Sequence, residues 1–220
     1  MFLGHFALAF GAKKADQNLS LGTSILAAQW LDLLWPVLLL TGTEKAAIAA
    51  PGSVIPLVFI SYPISHSLLT VIGWSLLLAV FYGVLKRNER GAWVVGFLVL
   101  SHWMLDWLVH VPDLPLSPFS EMKAGLGFWN YKMAELGVEL LMFAAGVYLY
   151  MQNRGPVSKG KNTITWALII FLLLVHILNS FSKAPPSMDA VAMLGLTQWL
   201  LVAWGYWADP PKTGIISFAT

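Results

Sequence analysis

The feature that most constrains this chain is a succession of apolar runs, each long enough to cross a lipid bilayer. A hydrocarbon layer of about 30 Å takes about 20 residues of helix. Runs of that order lie near Leu19 to Leu40, Ser65 to Leu85, Ala92 to Val111, Ala134 to Met151, Thr163 to Phe181 and Ala190 to Trp207. A further apolar piece, Phe2 to Phe10, is too short to span. Inside a bilayer every backbone N–H and C=O must be paired within the protein, which runs of this length achieve as helices. The expected fold class is therefore all-α, a polytopic membrane helix bundle with about six transmembrane helices plus a short N-terminal half-helix.

Composition agrees with this. Hydrophobic residues make up 58% of the chain and charged residues 11%, against roughly 25% charged in soluble domains. The lipid bilayer is the expected partner, and a formal charge of +2 gives no basic footprint for nucleic acid. The chain contains no cysteine, so any metal must be held by imidazole and carboxylate rather than thiolate. Met1 to Lys14 places its apolar run before its lysines, the reverse of a secretory signal, and reads as mature sequence. Residues 1–220 read as a single transmembrane domain, 1–151 holding the polar cluster described next and 152–220 adding two helices.

Two long loops separate the spans. Thr41 to Ile64 carries Gly42, Pro51, Gly52, Pro56 and Pro63, and Val111 to Asn130 carries Pro112, Pro115, Pro118, Gly125 and Gly127. Both are punctuated by turn residues and long enough to fold over a site. The basic residues divide nine to four: Lys13, Lys14, Lys86, Arg87, Arg90, Arg154, Lys159, Lys161 and Lys212 on one side, against Lys45, Lys123, Lys132 and Lys183 on the other. The positive-inside rule then places both termini in the cytoplasm and the Pro/Gly loops outside.

Against this apolar background the ionisable residues stand out, because one at mid-membrane costs about 2.5 to 3.5 kcal/mol on insertion scales. The third span carries His102, Asp106 and His110 at i, i+4 and i+8, within an arc of roughly 80° on a helix. The first span carries Asp32, Ser65-His66-Ser67 opens the second, Glu135 and Glu139 lie one turn apart in the fourth, and His5 sits in the N-terminal piece. A His-x-x-x-Asp pair on one helix face presents an imidazole nitrogen and a carboxylate oxygen to a shared divalent cation. Such a pair can also simply hydrogen-bond. The full set argues for a cation, because its four histidines and four carboxylates have no Lys or Arg within the spans to neutralise them. His176, with Asn179 a turn later, and Gln198 read as structural polar contacts between helices.

The pieces Gly4-His5-Phe6, Gln29-Trp30-Leu31-Asp32, Ser65-His66-Ser67-Leu68-Leu69, Ser101-His102 through Asp106 to His110, Val111-Pro112-Asp113-Leu114-Pro115, Gly127-Phe128-Trp129-Asn130 and Val138-Glu139-Leu140 together resemble the YdjM/YbcI group. That group comprises membrane-bound, metal-dependent hydrolases of bacteria, and the resemblance covers roughly residues 1–151. The group is in turn similar to the zinc-dependent phospholipase C and single-strand nuclease fold. Residue by residue, the resemblance implies His5, Asp32, His66, His102, Asp106, His110 and Glu139 as metal ligands, with Asp106 a candidate bridge between ions. It implies a divalent metal, zinc or else manganese, and a multi-pass protein of the bacterial inner membrane.

The expected function is that of a membrane-embedded metal-dependent hydrolase acting on a phosphate ester or phospholipid-like substrate, with Asp32 or Glu139 as general base. The alternative is a non-enzymatic membrane protein. His66, His102, His110 and His176 would then be haem ligands of a cytochrome subunit, or Asp32, Asp106 and Glu139 the relay of an ion or proton carrier.

Overall fold

The structure is a computed structural model that describes residues 1–50, 52–53, 55–182 and 184–210 of the 220. Pro51, Lys183 and Lys212, counted among the loop residues above, lie outside the described residues.

Long apolar helices dominate, as the run lengths require. They are α4 (Leu68–Lys86), α5 (Glu89–Val109), α6 (Lys132–Asn153) and α7 (Lys159–Ser180), with α8 (Met188–Leu196) and α9 (Gln198–Ala208) together forming one span-length segment. The first apolar run is broken into α2 (Leu21–Ala28) and α3 (Trp30–Leu40), which meet at Gln29 with a 55° bend. Among the described residues five segments are long and apolar enough to cross a membrane, and the bent pair makes a sixth if it is one span. Helix starts follow local chemistry: the side chains of Ser20, Ser67, Asn88, Ser158 and Ser187 each accept a backbone N–H of the first turn. Arg87 adopts the left-handed conformation, with φ of 49°, and turns α4 tightly into α5.

The N-terminal piece extends beyond Phe10 into α1 (Leu3–Ala15), which is buried over most of its length. It packs along α6 at a glycine, where a Cβ on Gly146 would lie 2.2 Å from the carbonyl oxygen of Ala7, the close approach that small residues allow between membrane helices. At its C-terminal end, Lys13 Nζ bonds Asp209 Oδ2 at 2.6 Å. Just beyond, Asn88 Nδ2 donates to Asp16 Oδ2 at 2.5 Å. One end of α1 thus meets the basic loop between α4 and α5, and the other begins inside the bundle.

The loop 41–64 contains β-structure that its Pro and Gly content did not suggest. Strands β1 (Lys45–Ile48) and β2 (Leu57–Ser61) pair antiparallel, and β3 (Leu114–Pro115) pairs with β4 (Lys123–Ala124) in the second loop. Short apolar stretches flanking the turn residues allow backbone pairing across each loop. The strand β1 contacts α8, and hairpin residues including Ile48, Leu57 and Phe59 share a cavity wall with Trp35 of α3, Asp106 of α5 and Glu139 of α6.

Candidate metal centre

Five side chains from four separate parts of the chain converge at the cavity lined by that hairpin. His5 comes from α1, Asp32 from α3, His66 from the segment before α4, and His102 and Asp106 from α5. The ligand atoms of His5, Asp32 and His102 lie within 4.8 Å of one another, as do those of His66, His102 and Asp106. Asp106 is the hub. Its Oδ1 is 2.8 Å from the Met1 amino nitrogen and 3.1 Å from His5 Nε2, and its Oδ2 is 3.1 Å from His102 Nε2 and 3.8 Å from His66 Nε2. Asp32 Oδ1 sits 3.6 Å from His66 Nε2 and 3.8 Å from His102 Nε2. The rings of His5 and His102 stack at 3.6 Å between centroids.

The hydrogen-bond partners of His102 fix its proton. Its Nδ1 lies 2.7 Å from the carbonyl oxygen of Ala28, which can only accept, so Nδ1 carries the hydrogen. In the neutral ring Nε2 then presents a lone pair, and it faces the carboxylate oxygens of Asp106 and Asp32. Among the described residues no donor reaches this buried nitrogen. Acceptors facing acceptors repel unless a second ring proton or a cation stands between them, and imidazole with carboxylate is a donor set suited to zinc or manganese. Since Nε2 of His102 has one lone pair, it can serve only one ion of the two groups that share it.

His110 and Glu139 lie apart from this set. The helix α5 ends at Val109, and His110 has extended backbone with ψ of 146°, so the stripe inferred from i+8 spacing stops at Asp106. Pro112 accounts for the stop, because the residue before a proline disfavours helix. His110 Nδ1 is 2.8 Å from Asp113 Oδ1, which also accepts the Tyr62 hydroxyl at 3.1 Å. Burial, with Asp113 beside it, holds the Tyr62 phenol far above its ordinary pKa and keeps it a donor. Glu139 accepts the N–H groups of Phe2 at 3.2 Å and Gly4 at 2.9 Å, a carboxylate at the positive end of α1. Both residues nonetheless line, with Asp32, His66 and Asp106, a cavity of about 840 Å³ that runs on to Glu135 and His176.

Three participants gave no sequence signal: the Ala28 carbonyl, the Met1 amino group and Glu44. Glu44 is 1% exposed and bonded to Ser65, yet in Thr43-Glu44-Lys45 it reads as a solvated loop residue.

The bundle and its cluster define a multi-pass membrane protein with a buried histidine–carboxylate site. More particularly, the chain belongs to the YdjM inner membrane protein family, whose model matches residues 52–184 of its 220. His66, His102, Asp106, His110 and Glu139 fall within the matched region, which runs on through α7, whereas His5 and Asp32 precede it. Neither a curated protein nor a solved structure matches the chain.

Proposed function

We propose that this protein is a metal-dependent hydrolase of the inner membrane that cleaves a phosphate ester presented at the cavity lined by the β1–β2 hairpin. The observation that carries this reading is the placement of His102 Nε2, a buried nitrogen without a hydrogen-bond partner among the described residues, 3.1 Å from Asp106 Oδ2 and 3.8 Å from Asp32 Oδ1. His5, Asp32, His66, His102 and Asp106 would hold the ion. A bound divalent cation acidifies water and stabilises negative charge on a transferring phosphoryl group.

The residues of the chain supply the rest. Asp32 has the most open carboxylate of the cluster, with a side chain 29% exposed against 4% for Asp106, and it is placed to take a proton from water in the cavity. Glu139 is less free to do so, because its oxygens already accept two backbone N–H groups. Trp35, Phe59 and Trp129 on the cavity wall provide apolar surface for the lipid-like part of a substrate.

A haem reading meets a steric obstacle. Of the candidate ligands His66, His102, His110 and His176, the pair His66 and His102 has ring centroids only 5.6 Å apart, and His102 is stacked by His5 at 3.6 Å, so these two cannot ligate a macrocycle from opposite faces.

The test is elemental analysis of protein purified in detergent, followed by phosphate-ester release from phospholipid vesicles and from a chromogenic phosphodiester. Wild type is expected to carry zinc or manganese and to cleave at least one of these, and Asp32→Asn to bind metal more weakly and to lose turnover even when metal is supplied in excess. Wild-type protein that takes up no divalent ion would leave the carrier reading in its place.

A further inference from the structure

Glu44 lies between α3 and β1, outside every helix, yet its carboxylate is buried and fully engaged. Oε1 accepts the N–H of Ile64 at 2.7 Å and of Ser65 at 2.8 Å, and Oε2 accepts the Ser65 hydroxyl at 2.6 Å. The same Ser65 Oγ is 2.7 Å from His66 Nδ1. A serine hydroxyl has one hydrogen and a carboxylate has none to give. With that hydrogen directed to Glu44, Oγ can only accept from His66, so Nδ1 carries the imidazole proton. In the neutral ring Nε2 then keeps its lone pair, 3.6 Å from Asp32 Oδ1 and 3.8 Å from Asp106 Oδ2.

We propose that Glu44, acting through the Ser65 hydroxyl, is a positioning residue that fixes the tautomer of His66 and so holds Nε2 as a metal-ligand atom. The inference rests on the metal-site reading above and extends it to a residue that touches no ion. Two of the three ligand-bearing histidines are then oriented in parallel fashion from different parts of the fold, His102 by a backbone carbonyl and His66 by a carboxylate relayed through a hydroxyl. Outer partners of this kind set ring orientation and ligand basicity, and losing one typically costs 10–100-fold in metal affinity. Glu44 and Ser65 also flank β1 and β2, so the carboxylate that sets His66 clasps the base of the hairpin lining the cavity.

The test uses Glu44→Gln and Ser65→Ala in the full chain in detergent, with zinc as the probe. In Glu44→Gln the amide oxygen still accepts the two backbone N–H groups, but the amide nitrogen donates to Ser65 Oγ. The hydroxyl then turns its hydrogen to His66 Nδ1, and the ring must carry its proton on Nε2. Zinc affinity is expected to fall about 10–100-fold. In metal-free protein labelled with 15N-histidine, the His66 resonance, identified by its loss in His66→Gln, should change from the Nδ1-protonated to the Nε2-protonated tautomer. Ser65→Ala keeps the backbone clasp and should lose affinity as well. If Glu44→Gln fails to fold, Ser65→Ala decides. Unchanged affinity and unchanged tautomer in the folded variants overturn the proposal, as does a wild-type His66 protonated on Nε2. A wild type that shows the expected tautomer but takes up no zinc leaves the relay standing and removes the metal-site reading instead.

Discussion

His102 Nδ1 donates to the carbonyl oxygen of Ala28 at 2.7 Å, joining the middle of α5 to the last residue of α2. Asp32 follows directly after the bend at Gln29, so a single hydrogen bond orients the ring of His102 and ties α5 to the segment that presents its carboxylate partner.

Asp106→Asn keeps the size of the side chain but removes the negative charge that four neighbouring groups face. Metal stoichiometry should collapse, with affinity falling by more than the 10–100-fold typical of an outer-shell loss. Lost charge-assisted hydrogen bonds should cost about 1.5–3 kcal/mol of stability, leaving the bundle folded. Metal analysis and thermal unfolding in detergent check both. Retained metal would mean that Asp106 is only a hydrogen-bond partner.

Metal binding should stabilise the fold, because an ion that binds only the native state adds about 2.7 kcal/mol at a hundred times its dissociation constant. Adding zinc or manganese should raise Tm and a chelator should reverse the rise. Protons compete for the imidazole nitrogens, so the effect should shrink as pH falls. Thermal scans at several pH values, with and without metal, provide the measurement.

Gly146→Ala tests how α1 is seated. The new Cβ would meet the Ala7 carbonyl oxygen at 2.2 Å, so α1 must shift, at a cost of about 1–3 kcal/mol. Because α1 carries His5, zinc affinity should weaken along with Tm. Gly137→Ala, on the same helix with nothing within 4 Å of the added Cβ, should lower neither. Equal behaviour of the two variants would contradict the packing described.

Lys13 and Asp209 form a buried pair, with side chains 3% and 9% exposed. Lys13→Met alone should destabilise by about 3–5 kcal/mol, since it strands the aspartate, whereas Lys13→Met with Asp209→Leu should recover most of that loss. Unfolding of both single variants and the double variant measures the coupling.

The basic-residue asymmetry predicts a cytoplasmic C-terminus and an external hairpin. A reporter fused after Thr220 should read as cytoplasmic, and a single cysteine at Ser53 in this cysteine-free chain should react with an impermeant thiol reagent from outside. An external reporter would invert the assignment.

The sequence by itself determined the spans, because crossing a fixed thickness of hydrocarbon imposes a length and a composition that any window along the chain can read. It also determined that His102 and Asp106 share a face, since helical geometry alone relates residues four apart. Other features were decided by tertiary structure. The bend at Gln29 carries no proline or glycine at the break to announce it. His110 lies on the stripe by angle but is carried off it where the helix stops before Pro112. The meeting of His5, Asp32 and His66 with the α5 pair joins residues far apart in the chain, and Glu44 reaches His66 only because the hairpin closes on itself. Local periodicity records which way a residue faces on its own element. Which elements then face one another is fixed by packing such as Ala7 against Gly146 and by the need to pair every buried polar group, and neither is written in any short stretch of sequence.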